Sequence, residues 1–402
     1  MSPRRVTKPK PPTLDWLTIA QFGLGAVGIS LAWMLAMAAL LGSMVRAAAD
    51  GLQLFSSLAD LIPVGGAFLF GVLLLPSTFY ALRRILGSAP TSFKISSRRL
   101  GLAVLLFPPL VAAGSWAVGV GWGWLVLATH ISAALILIAW LLWVALRDLQ
   151  PGSAQRAWGA FGSGLAATPI LAFVIEAIGL FVLILLFAIY IEVNPALAHA
   201  TEALQNATAQ NPDLLLQNLA PFFEDPFILF SVFISLSFFV PLIEELLKPL
   251  GVALLLRREL NEAQGFALGA LCGAGYALVE NLALNTQPET LFVAATGRIG
   301  ATIMHIFTTA LSGYALVRAK NTKQYLPLLG ILALNIAIHG LWNGMVLLLT
   351  AATLTTASGG LVPAEFAIIA TPVLVFLALA CVLTLVRMNR RLAFIKTKAR
   401  IC

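Results

Sequence analysis

The sequence predicts an all-α polytopic membrane protein of about ten transmembrane helices, and three observations predict it. The 402-residue chain is 60% hydrophobic and only 10% charged, where a soluble domain is about 45–50% apolar and about 25% charged. Its apolar residues form ten long runs, near 19–46, 61–82, 100–118, 122–146, 165–191, 227–256, 265–284, 291–317, 325–350 and 361–386; about 20 such residues cross a bilayer as a helix. Its basic residues lie in connections on one side of those runs, the pattern that orients a membrane protein.

The first run follows Arg4, Arg5, Lys8 and Lys10 among prolines. It exceeds the roughly 7 to 15 residues of a signal-peptide core, so it is expected to remain as the first span. The third and fourth runs are parted only by Gly119 to Gly123, which reads as a weak hairpin or a kink. With the N-terminus inside, the inner connections hold Arg83, Arg84, Lys94, Arg98, Arg99, Arg147, Arg156, Arg257, Arg258, Arg318, Lys320 and Lys323. The N-terminal four and the tail from Arg387 to Arg400 bring this to 22 of the 25 basic residues. The outer connections hold Asp50, Asp60, Glu192, Glu202, Asp213, Glu224, Asp225 and Glu289. Both termini are therefore expected in the cytoplasm, with Arg46 and the tail anchored on anionic lipid.

This topology accounts for the net charge of +8 without a nucleic-acid partner. Cys272, Cys381 and Cys402 show no paired spacing, and the first two read as small core residues. The outer connection near 191–226 is polar and acidic, carries the formal glycosylation sequon Asn206-Ala207-Thr208, and suggests a short surface helix.

Composition changes near residue 160. Residues 1–160 read as an accessory bundle of about four spans with little intramembrane polar chemistry; His130 there is expected to be a satisfied packing residue. Residues 161–402 read as a working bundle of about six spans, with its motifs between 225 and 350.

In that bundle, costly polar residues recur on four consecutive spans. The sixth carries Glu244, Glu245 and Lys248, the seventh Glu280 and Asn281, the eighth Arg298 and His305, the ninth His339 and Asn343. At 1.5 Å per residue, Glu244, Glu280, His305 and His339 all lie roughly 18–23 Å from the cytoplasmic side. Charges at membrane depth default to function, and their common depth argues for one buried site. Lys248 is i+4 from Glu244 and i+3 from Glu245, and the i+4 geometry favours pairing with Glu244, leaving Glu245 free. The small residues Gly265, Gly269, Gly273 and Gly275 allow close helix approach, which should bring Glu280 near the carboxylates of the sixth span. Glu176, a lone acid in the fifth span, could pair with Arg298 or line a substrate path, and a packing ion pair is the expected role.

Such a set could hydrolyse a peptide bond in two ways. A carboxylate could act as general base on water while histidine or asparagine stabilises the oxyanion. Alternatively His305, His339 and a glutamate, Glu245 or Glu280, could hold Zn²⁺, with a second glutamate as base. Cys272 could line the cavity, but an apolar setting keeps a thiol inert.

Glu244-Glu245-x-x-Lys248, Glu280-Asn281, His305 with Gly313, and His339-x-x-Trp342-Asn343 together resemble the PrsW family of intramembrane proteases, which belongs with the CAAX prenyl endopeptidases. The resemblance covers about residues 225–350. It implies site-specific cleavage of single-span membrane proteins, or of lipidated peptides as in the prenyl endopeptidases, within a bacterial or archaeal plasma membrane. It further implies that Glu244 or Glu245 is the catalytic carboxylate, that His305 works with it on water, and that His339 and Asn343 stabilise the oxyanion. Lys248 stands where relatives often have arginine, and Glu280-Asn281 where others have a histidine. An ion-coupled transporter is the competing function, since midplane acids with lysine and histidine also relay protons; a non-catalytic membrane scaffold of the same fold is the third.

Overall fold

A computed structural model of the chain describes residues 15–50, 58–93, 95, 98–206, 218, 221–222, 224–282, 291–358 and 365–401. Among these residues, ten helices are long and apolar enough to span a membrane: α1 (Trp16–Ala49), α2 (Pro63–Ile85), α3 (Arg99–Gly119), α4 (Gly123–Leu146), α5 (Ala154–Val193), α6 (Pro226–Leu255), α7 (Glu262–Leu282), α8 (Gly297–Thr322), α9 (Leu326–Ala352) and α10 (Ile368–Ile395). Among the described residues there is no strand, only an isolated antiparallel bridge between Ser92 and Ser153. The all-α polytopic fold is therefore the one the hydropathy predicts.

Gly119 to Gly123 forms a turn rather than a kink. Gly121 adopts φ +72°, a conformation that costs glycine nothing, and Trp122 N–H closes the turn on the Ala117 carbonyl at 2.9 Å. Asp225 caps the start of α6, its Oδ1 accepting from the Ile228 amide at 3.0 Å. A short helix, Pro195–Asn206, follows α5 on the expected outer connection. The sequon's Ala207 and Thr208, together with Asp213, Glu289, Lys94, Cys402 and the N-terminal basic residues, lie outside the described residues.

Burial is concentrated in α7 and α8, whose most apolar stretches are 83% and 89% inside. The outer helices leave large apolar side chains, such as Leu105, Phe173 and Phe230, facing outward. That inversion suits a bilayer, where lipid covers what water could not. One apolar core runs through both halves of the chain, from Ile29 and Leu74 through Leu141 to Phe266, Ile306 and Leu385. Cys272 and Cys381 are buried within it, as small apolar residues.

Gly265, Gly269 and Gly273 of α7 serve α8, while Gly275 lies against Phe161 and Leu165 of α5. A Cβ on Gly273 would lie 2.5 Å from the His305 carbonyl and 2.9 Å from Ile306 Cα, so only glycine lets the two backbones meet there. The stripe thus packs α7 against α8, and Glu280 is delivered beside His305 rather than directly onto α6.

Candidate active site

Glu244, Glu245 and Lys248 sit on the segment Val240–Leu247 and its C-terminal boundary, in the middle of α6. A π-helical turn, Ser235–Phe239, precedes the segment, and Pro249, which has no amide hydrogen, follows it. Glu244 is 7% exposed, while Glu245 and Lys248 are wholly buried. α8 and α9 bring His305 and His339 against them, each 2% exposed. The two rings stand edge to face, 5.1 Å between centroids at 88°.

The Lys248 ammonium is the centre of the cluster. Its Nζ lies 2.8 Å from Glu245 Oε1, 3.0 Å from Glu244 Oε2, 2.7 Å from His305 Nδ1 and 3.3 Å from His339 Nδ1. The Tyr276 ring covers it at 4.8 Å, a cation–π contact strengthened by burial. The hydrogen-bond partners assign the histidine protons. His305 Nε2–H donates to Glu280 Oε2 at 3.0 Å, which leaves Nδ1 to accept from Lys248. His339 Nδ1–H donates to Glu245 Oε1 at 3.0 Å, which leaves its Nε2 lone pair 3.8 Å from Glu244 Oε2.

Glu280 also binds Arg298, Nη1 to Oε2 at 3.0 Å and Nη2 to the Glu280 carbonyl at 2.8 Å. Arg298 is thereby committed to Glu280, not to Glu176. The expected Glu176–Arg298 pair does not form, because Arg298 and Glu280 lie on the tightly packed pair α7–α8 while Glu176 is on α5. Glu176 Oε1 is buried with no hydrogen-bond partner among the described residues.

Lys248 does not choose Glu244 over Glu245 as the helix spacing favours; it holds both. Glu245 is the more constrained, since its Oε1 serves Lys248 and His339 together. Glu244 Oε2 is ion-paired with Lys248 at 3.0 Å and lies 3.8 Å from His339 Nε2, and the carboxylate is hydrogen-bonded by Tyr276. With Glu280 included, three carboxylates face two fixed cations, Lys248 and Arg298. One negative charge in the cluster is left over.

The remaining sequence-predicted residues support the cluster from outside it. Asn281 Nδ2 donates to Thr302 Oγ1 at 3.0 Å, and the Asn281 carbonyl receives His130 Nε2–H at 3.0 Å, which satisfies His130 as expected. Asn343 shares its helix face with His339 but donates to the Leu236 carbonyl at 3.0 Å, fastening α9 to the π-helical turn of α6. Sequence reasoning passes over Tyr276 as a site residue, although its i, i+4 relation to Glu280 already places it on the inward face.

Donor atoms of Glu244, His305 and His339 lie within 4.8 Å of one another, a set that could hold a metal ion. The carboxylate in this set is Glu244, not the Glu245 or Glu280 that spacing suggested. Those two instead accept from the outer nitrogens of the histidines, the arrangement that commonly orients metal-binding imidazoles.

A family model described as PrsW family intramembrane metalloprotease matches residues 152–380. No curated protein and no solved structure matches the chain. The match covers over half of the 402 residues, including every helix of the Glu/Lys/His cluster, and the chain belongs to the PrsW family of intramembrane metalloproteases.

Proposed function

We propose that the chain hydrolyses a peptide bond of a membrane-embedded or lipidated protein with a water molecule activated by Glu244, and that Lys248 supplies the positive charge of the site. The observation that carries this reading is the convergence of Glu244, Glu245, Glu280, His305 and His339 around one buried ammonium.

The family description implies a metal, and the donor types of Glu244, His305 and His339 are suitable for one. Lys248 Nζ, however, lies against two of these donors, 2.7 Å from His305 Nδ1 and 3.0 Å from Glu244 Oε2. A divalent cation held by those two atoms would meet the like charge of the ammonium at close range. Seated around the ammonium, the residues do not fit a metal.

The protein's own groups suffice to balance the reaction. Glu244, in excess of the local cations, accepts a proton from water as the oxygen attacks the substrate carbonyl carbon. Neutralising Glu244 releases the Lys248 N–H that it held, and that donor turns to the developing oxyanion. Protonated Glu244 then gives its proton to the departing amide nitrogen as the C–N bond breaks. Glu245 and His305 keep Lys248 in place throughout, and Glu280 keeps His305 in one tautomer. His339 Nε2, facing Glu244, accepts a hydrogen bond from the incoming water.

The test is cleavage of a single-span membrane protein and of a prenylated peptide by the purified chain in liposomes, before and after chelation, with metal content measured. We expect cleavage of at least one substrate with well under one metal ion per chain, undiminished by chelator, and lost in Glu244→Gln. A stoichiometric metal whose removal abolishes cleavage would overturn the ammonium reading.

A further inference from the structure

A second site lies at the end of the bundle where the basic connections gather. A cavity of about 930 Å³ opens there between α1, α2, α5 and the C-terminal part of α6. Its mouth is cationic: Arg84 in the last turn of α2, Arg156 in the first turn of α5 and Arg258 just beyond α6 all line it. The acid in that lining is Asp15, which is ion-paired with Arg258. Arg84 Nη1 donates to the Ser88 carbonyl at 2.7 Å, and Arg156 makes no ion pair among the described residues. Three arginines and one aspartate leave the mouth at +2.

Beneath the arginines a seam of amides fastens the three walls. Gln155 Nε2 donates to Thr18 Oγ1 at 2.9 Å, and Gln21 Nε2 donates to Ser77 Oγ at 3.1 Å. Deeper still, the lining turns apolar with Leu24, Leu31, Phe70, Ile170 and Leu254. Leu24, Leu31 and Ile170 remain 68%, 54% and 60% exposed, so the protein leaves this wall for an apolar occupant to cover.

The height of the cavity identifies the occupant. Leu31 lies 15 residues past Trp16, Phe70 14 residues before Arg84, and Ile170 14 residues past Arg156. At about 1.5 Å per residue, the apolar wall therefore reaches about 21–23 Å from the mouth. Half of a bilayer with its headgroups is about 20–22 Å. We infer that the cavity binds one anionic phospholipid, its phosphate among Arg84, Arg156 and Arg258 and an acyl chain along Leu24, Leu31 and Ile170. A free phosphate would leave the apolar wall bare, and a zwitterionic lipid would leave the mouth with its net charge.

The full chain, purified in mild detergent, is titrated with phosphatidylglycerol bearing a spin-labelled acyl chain, and in parallel with phosphatidylcholine bearing the same label. Saturable binding of phosphatidylglycerol, several-fold tighter than that of phosphatidylcholine, is expected. Each basic residue near a membrane surface contributes about 1 kcal/mol toward anionic lipid, so Arg156→Gln should weaken phosphatidylglycerol about fivefold and Arg84→Gln/Arg156→Gln about 25-fold. Phosphatidylcholine binding to the same variants should be unchanged, which also reports that they are folded. Leu31→Trp, which fills the apolar wall, should weaken both lipids. Equal binding of the two lipids by the wild type, arginine variants that bind phosphatidylglycerol normally, or displacement of the label by inorganic phosphate alone would each overturn the assignment.

Discussion

Glu244 and Glu245 are adjacent in sequence, yet their surroundings separate them. Glu245 is wholly buried and its Oε1 is shared between Lys248 and His339, so its charge is part of what holds α6 and α9 together. Glu244 pairs with Lys248, faces the His339 Nε2 lone pair at 3.8 Å and is hydrogen-bonded by Tyr276, contacts that leave its charge less tied to the helix packing. Removing one partner of a buried ion pair costs about 3–5 kcal/mol, because the other charge is left uncompensated. Glu245→Gln should therefore lower the thermal unfolding temperature in detergent markedly and lose cleavage with it. Glu244→Gln should lower the rate about 10²- to 10⁴-fold, the usual worth of a general base, with a much smaller effect on stability. Equal destabilisation by the two variants, with equal residual rates, would remove the distinction. The sequence makes both residues legible as site residues through the cost of charge at membrane depth. It does not separate them, because helix spacing lets Lys248 reach either; the separation depends on His339, 94 residues away.

At the level of helices, the site depends on how closely α7 approaches α8. The contact at Gly273 reaches the His305 carbonyl, and that same carbonyl accepts from Thr309 Oγ1 at 2.7 Å. Gly273→Val would force α8 outward at the residue that supports Lys248. Overpacking of this kind costs about 1–3 kcal/mol, and we expect a lower unfolding temperature together with lost cleavage. Gly330→Ala in α9, where a Cβ meets nothing within 4 Å, is the control and should change neither. Wild-type cleavage by Gly273→Val would show that His305 tolerates displacement. The glycine stripe was readable as a packing surface, since small residues at helical spacing have few other uses in a membrane. Its partner was not. Nothing in the pattern of α7 says whether α6 or α8 lies against it, and that choice settles whether Glu280 meets the glutamates of α6 or His305. The π-helical turns Ser163–Ala167 and Ser235–Phe239 have no hydropathy signature either, because one extra residue in a turn leaves an apolar run apolar. The second of them aims its Leu236 carbonyl at Asn343, and so locks α9 to the helix that carries Glu244.

Across the whole molecule, hydropathy alone was enough for the ten spans, because every crossing must be long, apolar and helical. The relation between the first four spans and the rest has a different physical basis. The family match begins at residue 152, and the composition shift near 160 suggested a working bundle that could be considered separately. The packing joins them: Leu141, Leu142 and Leu146 of α4 belong to the same core as Phe266, Leu271 and Leu385. The join is polar as well, since Asn389 Nδ2 donates to the carbonyls of Ala145 and Arg147 at 2.8 Å each. Without α4, the inner faces of α7 and α10 would meet lipid, and the Asn389 amide would lose partners that hydrocarbon cannot replace. We therefore propose that residues 1–151 are an accessory bundle in chemistry but a structural part of the protease in folding. A chain of residues 152–402 expressed alone should insert yet fail to give a monodisperse particle in detergent, and should not cleave substrate. Co-expression with residues 1–151 as a separate chain should restore both, because the contacts that matter are between helices and not along the backbone. Activity at the wild-type level from 152–402 alone would show that the shared core is dispensable, and would return the boundary near 160 to the standing of a true domain limit.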